Sequence, residues 1–164
     1  MKKDAAFSPC RRYRYALWRH WDDSKPTVLF IGLNPSTADE ENDDPTLIRC
    51  INFAKSWDNE RYGGVCIANL FAYRATQPKD LLARKRVTGQ DNDEWLLTLA
   101  NAADLVIAAW GNDGHFQNRA EKVKKLIHPL HYLRLNKSGE PAHPLYLQAK
   151  LTPILFKDYV KVAD

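Results

Sequence analysis

Cysteine is scarce in this chain, and its spacing suits neither metal nor redox chemistry. The 164 residues include 3 cysteines, Cys10, Cys50 and Cys66, and no two of them form a Cys-x-x-Cys motif. This odd, dispersed set supplies neither a four-cysteine iron–sulfur site nor the ligand spacing of a zinc site. Two of the three lie in apolar runs, which favours buried thiols in a reducing compartment. We therefore expect no metal and no cofactor.

The signatures of several large enzyme classes are also missing. The chain has no Gly-x-Ser-x-Gly elbow, no phosphate loop ending in Gly-Lys-Ser/Thr and no Gly-x-Gly-x-x-Gly fingerprint. No apolar run approaches the length of a membrane span, and the N-terminus lacks the apolar stretch of a signal peptide. We expect a cytoplasmic protein that makes no membrane contact and acts as a monomer.

Size and charge set mild limits. With 45% hydrophobic residues, the chain is long enough to bury the core of one domain over residues 1–164. We expect residues 1–11 to form a loosely held basic arm and residues 152–164 to form a tail that packs back on the domain. The 24 basic residues exceed the 20 acidic ones, for a net charge of +4, which allows an anionic partner without requiring one.

Buried strands alternate with amphipathic helices along the chain. Apolar runs predict strands at 28–31, 65–68, 105–110 and 130–135, and period-two alternation predicts an edge strand over 12–18. Helical spacing predicts helices over about 45–57, with Asp44 as N-cap, over about 91–103, and before Pro129. This order predicts the α/β class, in a three-layer α/β/α sandwich whose central sheet has four strands and is rich in parallel pairs.

Polar residues follow these strands where ligands bind in open α/β sheets. Asn34 lies two residues after Gly32, Asn69 ends the second strand, and His143 follows the fourth strand at the same edge. An Asn amide donates and accepts hydrogen bonds along the edge of a planar base, and a His contacts a developing anion near neutral pH. The alternatives are that each Asn only stabilises its own turn and that His143 is an ordinary loop residue.

The same stretches carry a family resemblance. Gly32-Leu33-Asn34-Pro35 resembles the first motif of the uracil-DNA glycosylase superfamily, in its mismatch-type and single-strand-selective branches. The segment 67–74, Ile-Ala-Asn-Leu-Phe-Ala-Tyr-Arg, is similar to the second strand of the iron–sulfur branch. His143-Pro144 resembles the His-Pro of the second catalytic motif, while 136–139, Asn-Lys-Ser-Gly, is similar to another version of it. Over roughly residues 12–150, the whole pattern looks most like a bacterial and phage family of unknown function.

The resemblance implies a glycosylase-like fold and a DNA glycosylase. It would flip out a modified or damaged pyrimidine, such as a hypermodified phage base, and hydrolyse the N-glycosidic bond in repair or phage defence. The implied catalytic residues are Asn34, His143 and Asp39. The implied base-binding residues are Gly32, Leu33, Pro35, Asn69, Phe71 and Tyr73. The implied DNA-binding residues are Arg74, Asn136, Lys137, Ser138, Gly139, Pro144, Leu145 and Tyr146.

Two points stay open at the level of the sequence. Either His143 or Asn136 occupies the catalytic place in the second motif. The same residues also suit an enzyme of this fold that modifies a base without excising it, or a non-catalytic protein that binds nucleic acid or nucleotides.

Overall fold

The computed structural model describes residues 1–157 and confirms a mixed α/β architecture. The strands are β1 (Lys2–Phe7), β2 (Arg14–His20), β3 (Thr27–Gly32), β4 (Gly64–Asn69), β5 (Leu105–Ala108), β6 (His131–Tyr132) and β7 (Ile154–Leu155). The α-helices are α1 (Pro45–Ser56), α2 (Pro78–Leu82), α3 (Asn92–Ala102) and α4 (Arg119–Leu126). Segments of 3-10 helix cover Asn112–Asn118 and Pro144–Tyr146.

The strands form one mixed sheet in the order β1-β2-β4-β3-β5-β6-β7. Strands β4, β3, β5 and β6 pair in parallel, whereas β1, β2 and β7 join through antiparallel pairs. The prediction of four strands is therefore wrong, because the described residues contribute seven. The predicted strand over 130–135 is also too long, since only His131 and Tyr132 belong to β6.

Strand β1 corrects the prediction of a loose basic arm over residues 1–11. Residues 2–7 pair with β2 in antiparallel register, with Lys2 opposite His20 and Ala6 opposite Ala16. The outer half of β1 is exposed, so its side chains show no apolar alternation that would mark a strand. Its pairing depends on backbone hydrogen bonds to a neighbour, which sequence pattern does not report.

Apolar clusters lie on both faces of the sheet because side chains alternate along each strand. In β3, Leu29 and Ile31 pack in one cluster with residues of α3 and α4. Val28 and Phe30 pack on the other face with residues of α1. The central strand β3 thus packs against helical residues on both faces of the sheet.

Helix α1 begins as its sequence predicts. The Asp44 carboxylate accepts a hydrogen bond from the Leu47 N–H at 2.8 Å, and Pro45 occupies the first turn, where its missing N–H costs nothing. This cap fixes the loop from Asn34 to Asp44 between the end of β3 and the start of the helix. That loop borders the candidate functional site.

The predicted tail over 152–164 is described only in part. Strand β7 pairs with β6, and the Phe156 ring lies 4.7 Å from that of Tyr132, centroid to centroid. Residues 158–164 lie outside the described residues.

Within 1–157, no helix has the length and apolar content needed to cross a membrane.

Candidate functional site

A cavity of about 530 Å³ opens at the carboxyl ends of β3 and β4. These ends lie side by side because Gly32 pairs with Asn69 in the parallel ladder. The loop that carries His143 forms another part of the cavity wall. The predicted site residues that line the cavity are Gly32, Leu33, Asn34, Asn69, His143, Pro144, Leu145 and Tyr146. Three segments distant in sequence therefore meet at the predicted edge of the sheet.

Asn34 is fixed through its own side chain. Its Nδ2 donates to the Ala75 carbonyl at 2.7 Å and to the Pro35 carbonyl at 3.0 Å. Both amide protons are used in this way, so Asn34 Oδ1 is the atom left to accept a hydrogen bond from a ligand or water. Asn34 is half-buried, at the wall of the cavity.

Asn69 is fixed through its backbone, and its side-chain amide is free. Asn92 Nδ2 donates to the carbonyls of Asn69 (2.9 Å) and Leu70 (3.0 Å), and Arg119 Nε donates to the latter at 2.8 Å. The Asn69 side chain is only 3% exposed, and its Nδ2 has no hydrogen-bond partner. A buried donor without a partner costs about 1–3 kcal/mol, so a ligand acceptor at this atom would be stabilised.

Gly32 permits this position of Asn69. A Cβ built on Gly32 would lie 2.8 Å from Asn69 Oδ1, closer than a carbon and an oxygen can approach without a shift. The glycine thus leaves the space in which the amide lies.

Arg14 is a cavity residue that sequence reasoning missed. It lies in β2 and is 3% exposed; its Nη1 donates to the Ala38 carbonyl at 2.9 Å, while its Nε has no partner. Burial lowers the pKa of its guanidinium to about 10, and the negative charge of Asp44 opposes that shift, so the group is cationic at neutral pH. The alternating pattern of this strand predicts that Arg14 is exposed, and only the tertiary structure shows that it is buried.

His143 lies at the exposed rim. Its Nδ1 accepts a hydrogen bond from the Leu145 N–H at 3.2 Å, so the neutral ring carries its proton on Nε2. Surrounding protein atoms displace water and lower the pKa of the ring, and the Asp44 carboxylate partly opposes this. Neutral His143 is therefore a hydrogen-bond donor through Nε2.

Two carboxylates line the cavity, and neither was predicted to. Asp44 reaches it beside the start of α1, and Asp113 reaches it from the turn after β5. Asp44 was predicted only as a helix cap, which it also is. Since the cap fully explains an Asp-Pro pair in the sequence, no second signal was left to identify it.

The Asn-Lys-Ser-Gly segment is a turn beside the cavity, not part of its lining. The Gly139 N–H donates to the Asn136 carbonyl at 2.9 Å, and Gly139 has a φ of 87°, which favours glycine. Asn136 Nδ2 and Ser138 Oγ both donate to Oδ1 of Asn112, at 3.0 and 2.7 Å. Asn112 itself lines the cavity. His143 thus lines the cavity itself, whereas residues 136–139 contact it only through Asn112.

Several residues predicted to be catalytic, base-binding or DNA-binding do not line the cavity. Asp39 accepts N–H bonds from Asn42 (2.7 Å) and Glu41 (2.9 Å), which lower the pKa of its carboxyl and close its own loop. Phe71 is fully buried against Phe116. The other three outside the lining are Pro35, Tyr73 and Arg74.

Tyr146 is the most exposed feature of the rim. It is 89% exposed at the end of a 3-10 turn whose first residue, Pro144, is buried. Among residues 1–157, no group of three or more His, Cys, Asp or Glu side chains is arranged to hold a metal ion.

Comparison with models of protein families matches residues 14–145 to DUF1643, described as a protein of unknown function. This match covers most of the chain and includes Asn34, Asn69 and His143, while Tyr146 lies just beyond its end. No curated protein and no solved structure gave a significant match.

Proposed function

The chain belongs to the DUF1643 family, a family of unknown function, and we propose that it is a monofunctional DNA glycosylase acting on a modified or damaged pyrimidine. The observation that carries this proposal is the free amide of Asn69, buried in the cavity wall beside Asn34. Helices on both sides of the sheet are consistent with the three-layer, glycosylase-like sandwich, which we include in the proposal.

The free donors favour a base edge that presents oxygen acceptors. Asn69 Nδ2 and Arg14 Nε are both buried at the cavity and both lack partners. A pyrimidine carbonyl satisfies such donors, whereas an amino group does not. The volume of about 530 Å³ lies within the roughly 300–1,000 Å³ of typical ligand sites, which leaves room for a bulky ring substituent such as those of hypermodified phage bases.

In the proposed reaction, a nucleotide is flipped out of the DNA and its base enters the cavity. Asn34 Oδ1 accepts a hydrogen bond from a water, which adds to the sugar carbon. The bond from that carbon to the base nitrogen breaks, and its electron pair leaves with the base. His143 Nε2–H donates to the oxygen on which negative charge develops. The proton lost by the water goes to a cavity carboxylate, Asp44 or Asp113, in place of Asp39.

The exposed rim supports the flipping step. Tyr146, with Leu145 beside it, is placed to fill the gap that an extruded base leaves in the stack. The free energy of unstacking would then be offset by a new stacking contact. This role needs no strong contact between Tyr146 and the rest of the protein, which agrees with its exposure.

The test is release of abasic sites from DNAs that contain uracil, hydroxymethylated cytosine, glucosylated cytosine or modified thymines. We expect one substrate to be cleaved, and Asn34→Ala and His143→Ala to reduce its turnover at least ~100-fold, as for other lost transition-state contacts. Asn101→Ala, at an exposed asparagine near the end of α3, is the matched control and should retain full activity.

Other outcomes separate the alternatives. Altered bases without abasic sites would replace excision with base modification. Tight DNA binding without any change to the base would leave a non-catalytic binding protein. Loss of turnover in Asn101→Ala as well would show that the effects arise from folding and not from the site.

A further inference from the structure

A second concave surface lies apart from the cavity and has a different composition. Two adjoining hollows of about 760 and 440 Å³ share Cys10, Tyr13, Lys85 and Arg86. Together they form a groove between the loop that precedes β2 and the loop that precedes α3. We call this surface the basic groove and define it by Arg12, Tyr13, Tyr73, Arg84, Lys85 and Arg86.

The cations of the basic groove are not explained by the fold. Arg12, Arg84, Lys85 and Arg86 are all exposed, and across residues 1–157 none of them forms an ion pair. Four clustered positive charges repel one another, and an anion between them removes that repulsion. Asp91 is the carboxylate that lines the groove, at its far end from Arg12.

The backbone that carries these charges is held in place. Tyr13 donates its hydroxyl hydrogen to the Arg86 carbonyl at 2.7 Å, and Gln117 Nε2 donates to the Lys85 carbonyl at 3.1 Å. The Tyr73 N–H donates to the Val87 carbonyl at 3.0 Å. The loop is therefore preorganised, which reduces the entropy lost when a ligand binds.

Aromatic rings lie among the charges. The rings of Tyr13 and Tyr73 meet edge to face with centroids 5.7 Å apart, and the Arg84 guanidinium lies 4.8 Å from the centroid of the second ring. Alternation of cations and aromatic rings is typical of surfaces that bind single-stranded nucleic acid through phosphates and bases together. The cations could also bind an anionic membrane surface. In that case, however, the aromatic rings of Tyr13 and Tyr73 would have no role in binding.

One stretch of backbone, residues 73–76, borders both the basic groove and the cavity. Tyr73 lines the groove, while Ala75 and Thr76 line the cavity, so the two sites are about 7 Å apart along the chain. Arg74 lies between them, with its guanidinium 4.8 Å from the centroid of the Phe7 ring at the groove wall. Arg74 thus adds a cation near the cations of the basic groove, next in sequence to the residues that line the cavity.

We propose that the basic groove binds the single strand of DNA that flanks the base in the cavity. Arg12, Arg84, Lys85 and Arg86 contact its phosphates, and Tyr13 and Tyr73 contact its bases. This inference rests on the proposed function for the identity of the polymer. Its own test, however, requires no excision of a base.

The first experiment measures binding of a labelled 20-nucleotide single strand with ordinary bases, and of its duplex, at several salt concentrations. The test variant is Arg84→Gln/Lys85→Gln/Arg86→Gln, and the matched control is Lys122→Gln/Lys125→Gln/Lys150→Gln, which removes three exposed charges elsewhere. We expect the test variant to weaken single-strand binding at least ~10-fold and to lower the salt slope by about 2, at about 0.7 per phosphate. Equal weakening in both variants would overturn the proposal.

The second experiment uses Cys10, which lies in the groove, as a reporter. Cys10 is exposed and a hydrogen bond from Ser8 lowers the pKa of its thiol, whereas burial raises the pKa of Cys50 and Cys66. Iodoacetamide should therefore modify Cys10 first, and saturating single strand should slow that modification several-fold. Unchanged modification under saturating DNA would place the strand elsewhere.

Vesicles containing anionic lipid serve as the competing probe. If they protect Cys10 and the single strand does not, a membrane surface is the partner and the proposal fails. If the strand protects Cys10 but no substrate yields abasic sites, the glycosylase proposal fails and the basic groove stands as a DNA-binding site.

Discussion

Two asparagines lie at the same edge of the sheet, Asn34 just after β3 and Asn69 at the end of β4, but the protein holds them in opposite ways. Asn34 uses both amide protons to fix its own loop and leaves an oxygen free. Asn69 is fixed through its carbonyl by Asn92 and leaves its amide nitrogen free. Asparagines near the ends of two neighbouring strands thus supply an acceptor in one case and a donor in the other. What each residue offers to a ligand is decided by where its hydrogen bonds within the protein go.

The largest effect should come from reversing the free group of Asn69. Asn69→Asp keeps the shape of the side chain but replaces a donor by an acceptor, so a base carbonyl at that atom is repelled. We expect turnover of the natural substrate to fall at least ~100-fold, with a relative gain for bases that present an amino group. Asn101→Asp controls for the added charge. Unchanged turnover and preference would mean that Asn69 does not contact the base.

The second-largest effect should be a difference between the two asparagines in how much their replacement lowers the stability of the protein. Asn34→Leu leaves two backbone carbonyls without their donors and should lower the free energy of unfolding by about 1–3 kcal/mol in urea denaturation. Asn69→Leu removes a donor that has no partner and should leave that free energy unchanged or higher. Equal losses in the two variants would contradict the difference that the structure shows.

A smaller effect is expected when the space beside Asn69 is filled. In Gly32→Ala the new methyl group would lie 2.8 Å from Asn69 Oδ1, and the flexible amide would move away. We expect turnover to fall about 10-fold, because displacement of a positioned group by a fraction of an ångström is costly. In an Asn69→Ala background the same change should have no further effect, and an additive loss would show that the methyl group acts elsewhere.

The smallest effect concerns the charge near His143. Asp44→Asn keeps the helix cap but removes the carboxylate that raises the pKa of His143, so this pKa, already below its usual 6.5, should fall further. An NMR titration of the ring measures the change. The stabilising contribution of neutral His143 is complete above pH 6.5 and is lost as the pH falls through the lowered pKa, and in the variant this loss should become larger and extend to lower pH. A rise in the pKa would exclude contact between the two residues.

The sequence predicted the sheet edge better than it predicted the pocket. Buried strands and the polar residues that end them are local patterns, so β3, β4, Asn34 and Asn69 could be found without the fold. Arg14 could not, because its burial depends on the loop that covers it, and Phe71 was assigned to the pocket although its side chain points into the core. Strand β1 was missed since an outer strand with exposed polar residues carries no apolar period.

The contacts to the Leu70 carbonyl bear on how this site could be re-engineered or could diverge. Donors from two different helices, Asn92 and Arg119, hold that one carbonyl, so the backbone at 69–70 has little freedom to move. Exchange of the side chain at position 69 would then change which base edge is accepted without disturbing the frame around it. If the proposed excision activity holds, a change in substrate range is thus accessible through single substitutions at position 69, whereas loss of Asn92 or Arg119 should end activity on every substrate at once.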